Sequence, residues 1–291
     1  MRKDPIVRVS RFAPATLCAL AALMLARPVF AQQRPLVTED PEPIGAGRIL
    51  IEGGIDFAHG QVYPVSGLEG NLWRIPTYGI SVGISSIAEI EFDGGIYDKL
   101  KITGNRPAPL ASLLTVAGDT THDVEDLVVG TKIRIVPETA GHPAIGIRFA
   151  TRLPNASNES GLGTDTTDFL ASVLVAKTVQ SVRAVGNIGF GILGDATNGN
   201  RQNDVLTYGV SFARAVTQKT ELVGELNGRA STRSGGAFPG TESRGLLKFG
   251  GRFTQGPVRL DAAVFFGMNA IDPSIGVTAG FTYVFNAFKV P

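Results

Sequence analysis

From residue 48 to residue 285 the chain is a succession of runs in which apolar and polar residues alternate with a period of two. That period marks β-strands with two unlike faces. The pattern is clearest at residues 126–169. There Leu127, Val129, Ile133 and Ile135 share one face, and Lys132 and Arg134 take the other. After the turn Pro-Glu-Thr-Ala-Gly-His-Pro, Ile145, Ile147, Phe149 and Leu153 oppose Arg148 and Arg152. Similar runs cover 48–57, 71–84, 89–100, 169–177, 182–193, 205–214, 221–229, 244–253, 258–267 and 275–285. Long helical periodicity is absent past residue 40, so the prediction is an all-β barrel or sandwich.

The count is about twelve strands of roughly ten residues, an even number, and the connections sort by parity. Short turns alternate with connections that are mostly long and polar. Residues 59–67, 104–125 and 231–242 are expected as loops. A soluble sandwich has no reason to sort its loops this way, whereas an outer-membrane barrel has short periplasmic turns and long outer loops. The predicted fold is a single antiparallel up-and-down transmembrane β-barrel. Pro76 removes a ladder donor, so a bulge or edge-like break is expected there. In the third run, 89–100, Ile90, Phe92 and Ile96 are expected opposite Glu89, Glu91, Asp93 and Tyr97.

In a lipid-embedded barrel the apolar face points outward and the polar face lines the lumen. A Lys or Arg facing the bilayer midplane would cost roughly 2–4 kcal/mol. The expected lumen-lining residues are Glu52, Asp56, Glu91, Asp93, Lys132, Arg134, Arg148, Arg152, Arg183, Glu225, Lys248, Arg252, Arg259 and Asp261. Acidic residues dominate the first three strands and basic residues the next two. Two readings stay open: a transverse field across a channel, or cross-strand ion pairs that fill the barrel. Phe57, Phe92, Tyr208, Phe253, Tyr283 and Phe285 lie near strand ends on the apolar face, as interfacial girdles would.

The N-terminus reads as a secretory signal over residues 1–31. Arg2, Lys3, Arg8 and Arg11 precede an apolar core, and Val29-Phe30-Ala31 is a cleavage pattern. The core falls short of the roughly 18–20 residues that span a bilayer. Residues 32–46 form a polar, proline-rich lead-in, 47–286 the barrel and 287–291 a tail. Cys18, the one cysteine, lies in the signal, so the mature chain would hold no disulfide or Cys-ligated metal. The whole chain has 27 basic and 26 acidic residues; residues 1–31 hold five basic and one acidic, which leaves 22 against 25. That balance does not favour nucleic acid.

Enzymatic chemistry is not indicated. His59, His122 and His142 all fall in expected loops or turns, without convergent metal ligands or a Ser and His on one strand face. Gly161-Leu-Gly and Gly191-Ile-Leu-Gly lack the strand–helix setting of nucleotide loops. No cofactor is expected.

Several short motifs resemble a known family. They are Asp126-Leu-Val-Val-Gly-Thr-Lys-Ile-Arg-Ile, the strand ending Thr-Arg-Leu-Pro154, Gly161-Leu-Gly-Thr-Asp-Thr-Thr-Asp-Phe169, and Gly194-Asp195 after a Gly-rich strand. With the lead-in Arg34-Pro-Leu-Val-Thr-Glu-Asp-Pro41, they resemble the phenol-degradation meta-pathway outer-membrane protein family, over most of residues 34–285. The resemblance implies a single-domain outer-membrane barrel that passes small, aromatic or hydrophobic compounds. It carries over no binding or catalytic residue.

The final strand is similar to an outer-membrane insertion signal, except that Asn286 to Pro291 follow its last Phe. The expected surroundings are outer-membrane lipid, the barrel-assembly machinery and a small-molecule solute, in the cell outer membrane. The alternatives are a plugged structural or surface-interaction barrel without transport, a channel for acidic solutes, and a soluble periplasmic β-protein.

Overall fold

The computed structural model describes residues 34–289. Fourteen strands and one 3-10 turn lie in this region. They are β1 (Arg48–Val62), β2 (Leu68–Gly83), β3 (Ala88–Gly95), β4 (Asp98–Asn105), β5 (Thr120–Asp123), β6 (Leu127–Val136), β7 (Ala144–Leu153), β8 (Asp168–Val179), β9 (Val182–Gly194), β10 (Gln202–Ala215), β11 (Thr220–Ser231), β12 (Arg244–Gln255), β13 (Val258–Gly267) and β14 (Ile275–Asn286).

All pairings are antiparallel, and each strand hydrogen-bonds its neighbours around the wall. The wall closes where β1 pairs with β14, from Arg48↔Asn286 to His59↔Ile275. Fourteen segments fill twelve wall positions. β3 and β4 pair in succession with the two ends of β2, and β5 and β6 occupy the next position. The result is a closed twelve-stranded antiparallel barrel. Closure leaves no edge strand to be satisfied in an apolar surrounding.

The outer surface is apolar and the inside polar, the reverse of a soluble protein. Ile55, Ile188, Phe212, Leu222 and Leu260 point outward, each about half exposed. Glu89, Lys132, Asp168 and Thr282 on the inner face are nearly inaccessible.

The interruption at Pro76 appears where its missing N–H predicts it. Arg74 and Thr77 both turn inward, and Ile75 and Pro76 both lie outside. The β1–β2 register shifts beside them, between Gly54 and Asp56. The neighbouring strand breaks at the same level, where Ile75 N–H donates to the Tyr97 carbonyl (2.9 Å) and Ile96 N–H to that of Pro76 (3.0 Å).

This corrects the reading of 89–100 as one strand with Tyr97 on the charged face. Ile96 and Tyr97 are both exposed at the break, and Asp98 and Leu100 then turn inward. An extra residue in a period-two element exchanges its faces. Two expected loops also contain strand. β1 runs through residues 59–62, and 104–125 includes the Ala111–Leu113 turn and β5. His59 and His122 therefore lie in strands, not loops; cross-strand partners Ile275 and Lys99 hold them there. The tail turns back over the barrel end, where Ala287 N–H donates to the Gly47 carbonyl at 2.9 Å.

Candidate functional site: the lumen and its N-terminal stopper

The lead-in does not stand outside the barrel. Residues 34–44 thread the lumen, and their main-chain and side-chain groups take partners from strands on every side. Arg34 Nη1 donates to Thr77 Oγ1 (3.2 Å), its Nη2 to Thr278 Oγ1 (2.9 Å), and its Nε lies 3.5 Å from Asp261. Arg252 Nε donates to the Arg34 carbonyl (2.7 Å) and Lys248 Nζ to that of Pro35 (2.6 Å). Glu225 accepts the N–H groups of Val37 (2.8 Å) and Thr38. Asn187 accepts the Glu39 N–H (2.6 Å) and returns a bond to its carbonyl (2.8 Å). Asp40 is held by Arg183, and Glu42 by Arg134. Glu89 accepts the Ile44 N–H. An irregular segment in a barrel interior needs partners for its main chain, and the inward polar residues supply them.

At the centre is a six-member charge cluster. Lys132 Nζ lies 2.7 Å from Glu89, 3.1 Å from Glu91 and 3.3 Å from Glu39. Arg148 Nε lies 2.7 Å from Glu91 and 3.1 Å from Glu39, and Asp93 is 3.7 Å from Nη2. Lys132 is 1% exposed. With Lys132 so removed from water, loss of this shared cation would leave its buried carboxylate partners without their main compensation. Acidic β3 and basic β6 and β7 thus meet as ion pairs, with Glu39 of the lead-in bridging them.

The strand glycines make this path possible. A Cβ on Gly54 would lie 2.2 Å from Arg34 Nη2, and one on Gly280 2.5 Å from Arg34 Nε. Both positions must lack a side chain for Arg34 to lie flat against the β1–β14 seam.

Of the remaining sequence-predicted lumen residues, Glu52 accepts from Thr282 Oγ1 (2.9 Å). Arg252 and Arg259 lie 3.6 and 3.8 Å from Glu221. Asp56 and Arg152 sit apart from the stopper, nearer the long connections. There a chamber of about 630 Å³ opens, bounded by the lead-in at Arg34 and Val37. One wall is apolar: Leu72 and Phe265 belong to a buried cluster with Leu68 and Leu100, and Tyr63, Leu162 and Leu246 pack against it. Charged residues line the chamber beside this wall. Arg74 bridges Asp56 (3.2 Å) and Glu125 (3.0 Å), and Arg152 bridges Asp126 and Asp168, both at 2.8 Å.

Sequence reasoning missed two parts of this site. Glu39, Asp40 and Glu42 were read as a lead-in, because a loop has no periodicity to aim it. Arg74 carried no face assignment, because Pro76 breaks the register beside it. The signal that could have found the stopper is the set of inward Gly residues opposite a conformationally restricted, acidic segment.

By sequence the chain matches no protein-family model and no curated protein. By structure it is similar to an outer-membrane channel of Pseudomonas putida F1. The TM-score is 0.61 at 11% identity, covering 84% of this chain and 98% of that one. It is also similar to the translocator domain of the autotransporter NalP from Neisseria meningitidis. There the TM-score is 0.50 at 12% identity, covering 83% and 89%. Both likenesses concern the fold: this chain has the architecture of an outer-membrane β-barrel.

Proposed function

We propose that the protein is an outer-membrane channel for small apolar or aromatic compounds. Its 34–44 segment acts as a stopper that must shift for passage. The observation that carries this reading is the chamber of about 630 Å³ above the stopper, with an apolar wall of Leu72, Leu162, Leu246 and Phe265 beside charged residues. A polar-only pore would have no use for that wall, because burying an apolar solute against it gains free energy that water does not supply. The motifs at 126–169 and the lead-in resemble the phenol-degradation meta-pathway outer-membrane family, and the channel from Pseudomonas putida F1 has a similar barrel. Both support export to the outer membrane, with residues 1–31 as signal.

The test is reconstitution of heat-modifiable, folded protein in liposomes. The full chain is expected to show low conductance and slow uptake of phenol. Deletion of 34–44 is expected to raise conductance several-fold. A deleted barrel that remains folded yet non-conducting would overturn the channel reading. The density of bonds to the stopper favours a second reading in that case, a plugged structural barrel whose loops engage outside partners.

A further inference from the structure

The chamber has a side lobe whose lining differs from the rest. The main chamber mixes carboxylates with cations. The lobe, about 230 Å³, is lined by Arg152, Arg229 and Arg244 and by no acidic residue, with Tyr63, Val65 and Leu162 as its apolar side. It shares Tyr63, Leu162, Arg152 and Arg244 with the main chamber, so the two are continuous. Arg229 lies in the last three residues of β11 and Arg244 opens β12, so both lie at the long-connection end.

The three guanidinium groups are not equally satisfied. Arg152 is neutralised by Asp126 and Asp168. Arg229 donates to two main-chain carbonyls, of Glu242 (2.9 Å) and Gly240 (2.7 Å), and forms no ion pair among the described residues. Arg244 also donates to carbonyls, of Ile271 (3.3 Å) and Val62 (3.2 Å). Its nearest carboxylate oxygen, on Asp272, is 3.9 Å away. The other Asp272 oxygen already accepts from Gly245 N–H (2.9 Å) and from the main-chain and side-chain N–H groups of Asn269 (both 3.0 Å).

Two half-buried cations therefore face one small cavity with their charge unanswered by a hydrogen-bonded carboxylate. Elsewhere in the lumen, cations such as Lys132 and Arg148 have one within reach. Guanidinium forks suit planar carboxylates, and charge-assisted bonds strengthen in a sheltered cavity.

We propose that this lobe is a binding subsite for a small organic carboxylate. The carboxylate is held by Arg229 and Arg244, and its apolar or aromatic body lies against Tyr63, Val65 and Leu162. The inference rests on the channel reading above and names its solute class: aromatic or aliphatic monoacids, selected at the outer mouth before the stopper.

The experiment uses the full mature chain in detergent, with benzoate as probe, benzyl alcohol as its uncharged counterpart and inorganic phosphate as the mineral anion. Equilibrium dialysis is expected to show saturable benzoate binding, at least about tenfold weaker for benzyl alcohol. Phosphate should compete poorly, since it has no body for the apolar side. Arg229→Gln and Arg244→Gln are each expected to weaken benzoate binding about tenfold, while Arg229→Lys restores only part of it, because an ammonium keeps the charge without the fork.

Folding of each variant is checked by heat-modifiable migration. If a Gln variant misfolds, the wild-type comparison of benzoate with benzyl alcohol still decides. Equal binding of the two, tighter binding of phosphate, or full benzoate affinity in a folded Arg229→Gln, Arg244→Gln double variant would each overturn the subsite. Liposome uptake of phenol is measured on the same preparations. Failure there with benzoate binding intact removes the channel reading alone.

Discussion

The two halves of the lumen are built from the same residue types and use them differently. In the half nearer the short turns, Lys132, Arg148, Arg183 and Arg134 spend their charge on Glu89, Glu91 and the acidic side chains of the stopper. In the half nearer the long connections, the chamber remains open and Arg229 and Arg244 rest on main-chain carbonyls. Both halves hold cations; residues 34–44 answer several of them in the first half, while Arg229 and Arg244 in the second receive no partner from that segment. A barrel of twelve strands lies between eight, which side chains fill, and sixteen, which leave a channel. Here one half is closed by eleven extra residues and the other is left as a cavity.

The sharpest way to break this contrast is Lys132→Met. It would leave Glu39, Glu89 and Glu91 crowded without their shared cation. The expected loss is about 3–5 kcal/mol, read as a lower denaturation midpoint of the folded barrel. A loss below about 1 kcal/mol would mean that the cluster is hydrated rather than sealed.

Next is Gly54→Val. The new Cβ would occupy the space of Arg34 Nη2, 2.2 Å away, so the stopper must move or the seam must strain. A destabilisation of about 1–3 kcal/mol is expected, with raised single-channel conductance. Unchanged conductance would show that Arg34 does not set the narrowest point.

The open half should tolerate more. Arg74→Gln removes partly solvated pairs with Asp56 and Glu125. The expected cost is about 1 kcal/mol, since water replaces the lost partner.

The smallest effect is expected at Asp195, in the connection between β9 and β10. Burial pushes its carboxyl up, but the Thr197 hydroxyl and N–H together with Arg201 outweigh this and hold it below the usual aspartate value. A depressed carboxyl stabilises the fold above its unfolded value and loses that contribution as pH falls through its lowered one. Asp195→Asn should therefore lower the melting temperature slightly at pH 7, and the difference should close under strong acid. A gap that persists there would assign the effect to packing.

Much of the barrel was legible because its signal is local. Alternation alone told inside from outside at Glu52, Lys132, Arg148 and Arg252, since a strand has two faces and lipid tolerates one of them. The exceptions have local causes. Beside Pro76 the register changes, so Arg74 lacked a face and Tyr97 was placed on the wrong one. At His59 and His122 the strands outlast their hydrophobic pattern, because hydrogen bonding to a neighbour continues where no face needs to be buried.

The order of polar and apolar residues, the parity of the connections and the Gly content were sufficient to specify a closed twelve-stranded wall with a charged interior. They act over ten residues at a time, and each strand carries its own copy of the rule. Where residues 34–44 go was decided only in three dimensions. That segment has no period, and its partners lie up to 245 positions away, at Ala279. Only the closed wall brings Thr77, Glu225, Arg183 and Lys132 around one axis. By the same closure, Arg229 and Arg244 are left sharing a lobe that no residue of the stopper enters.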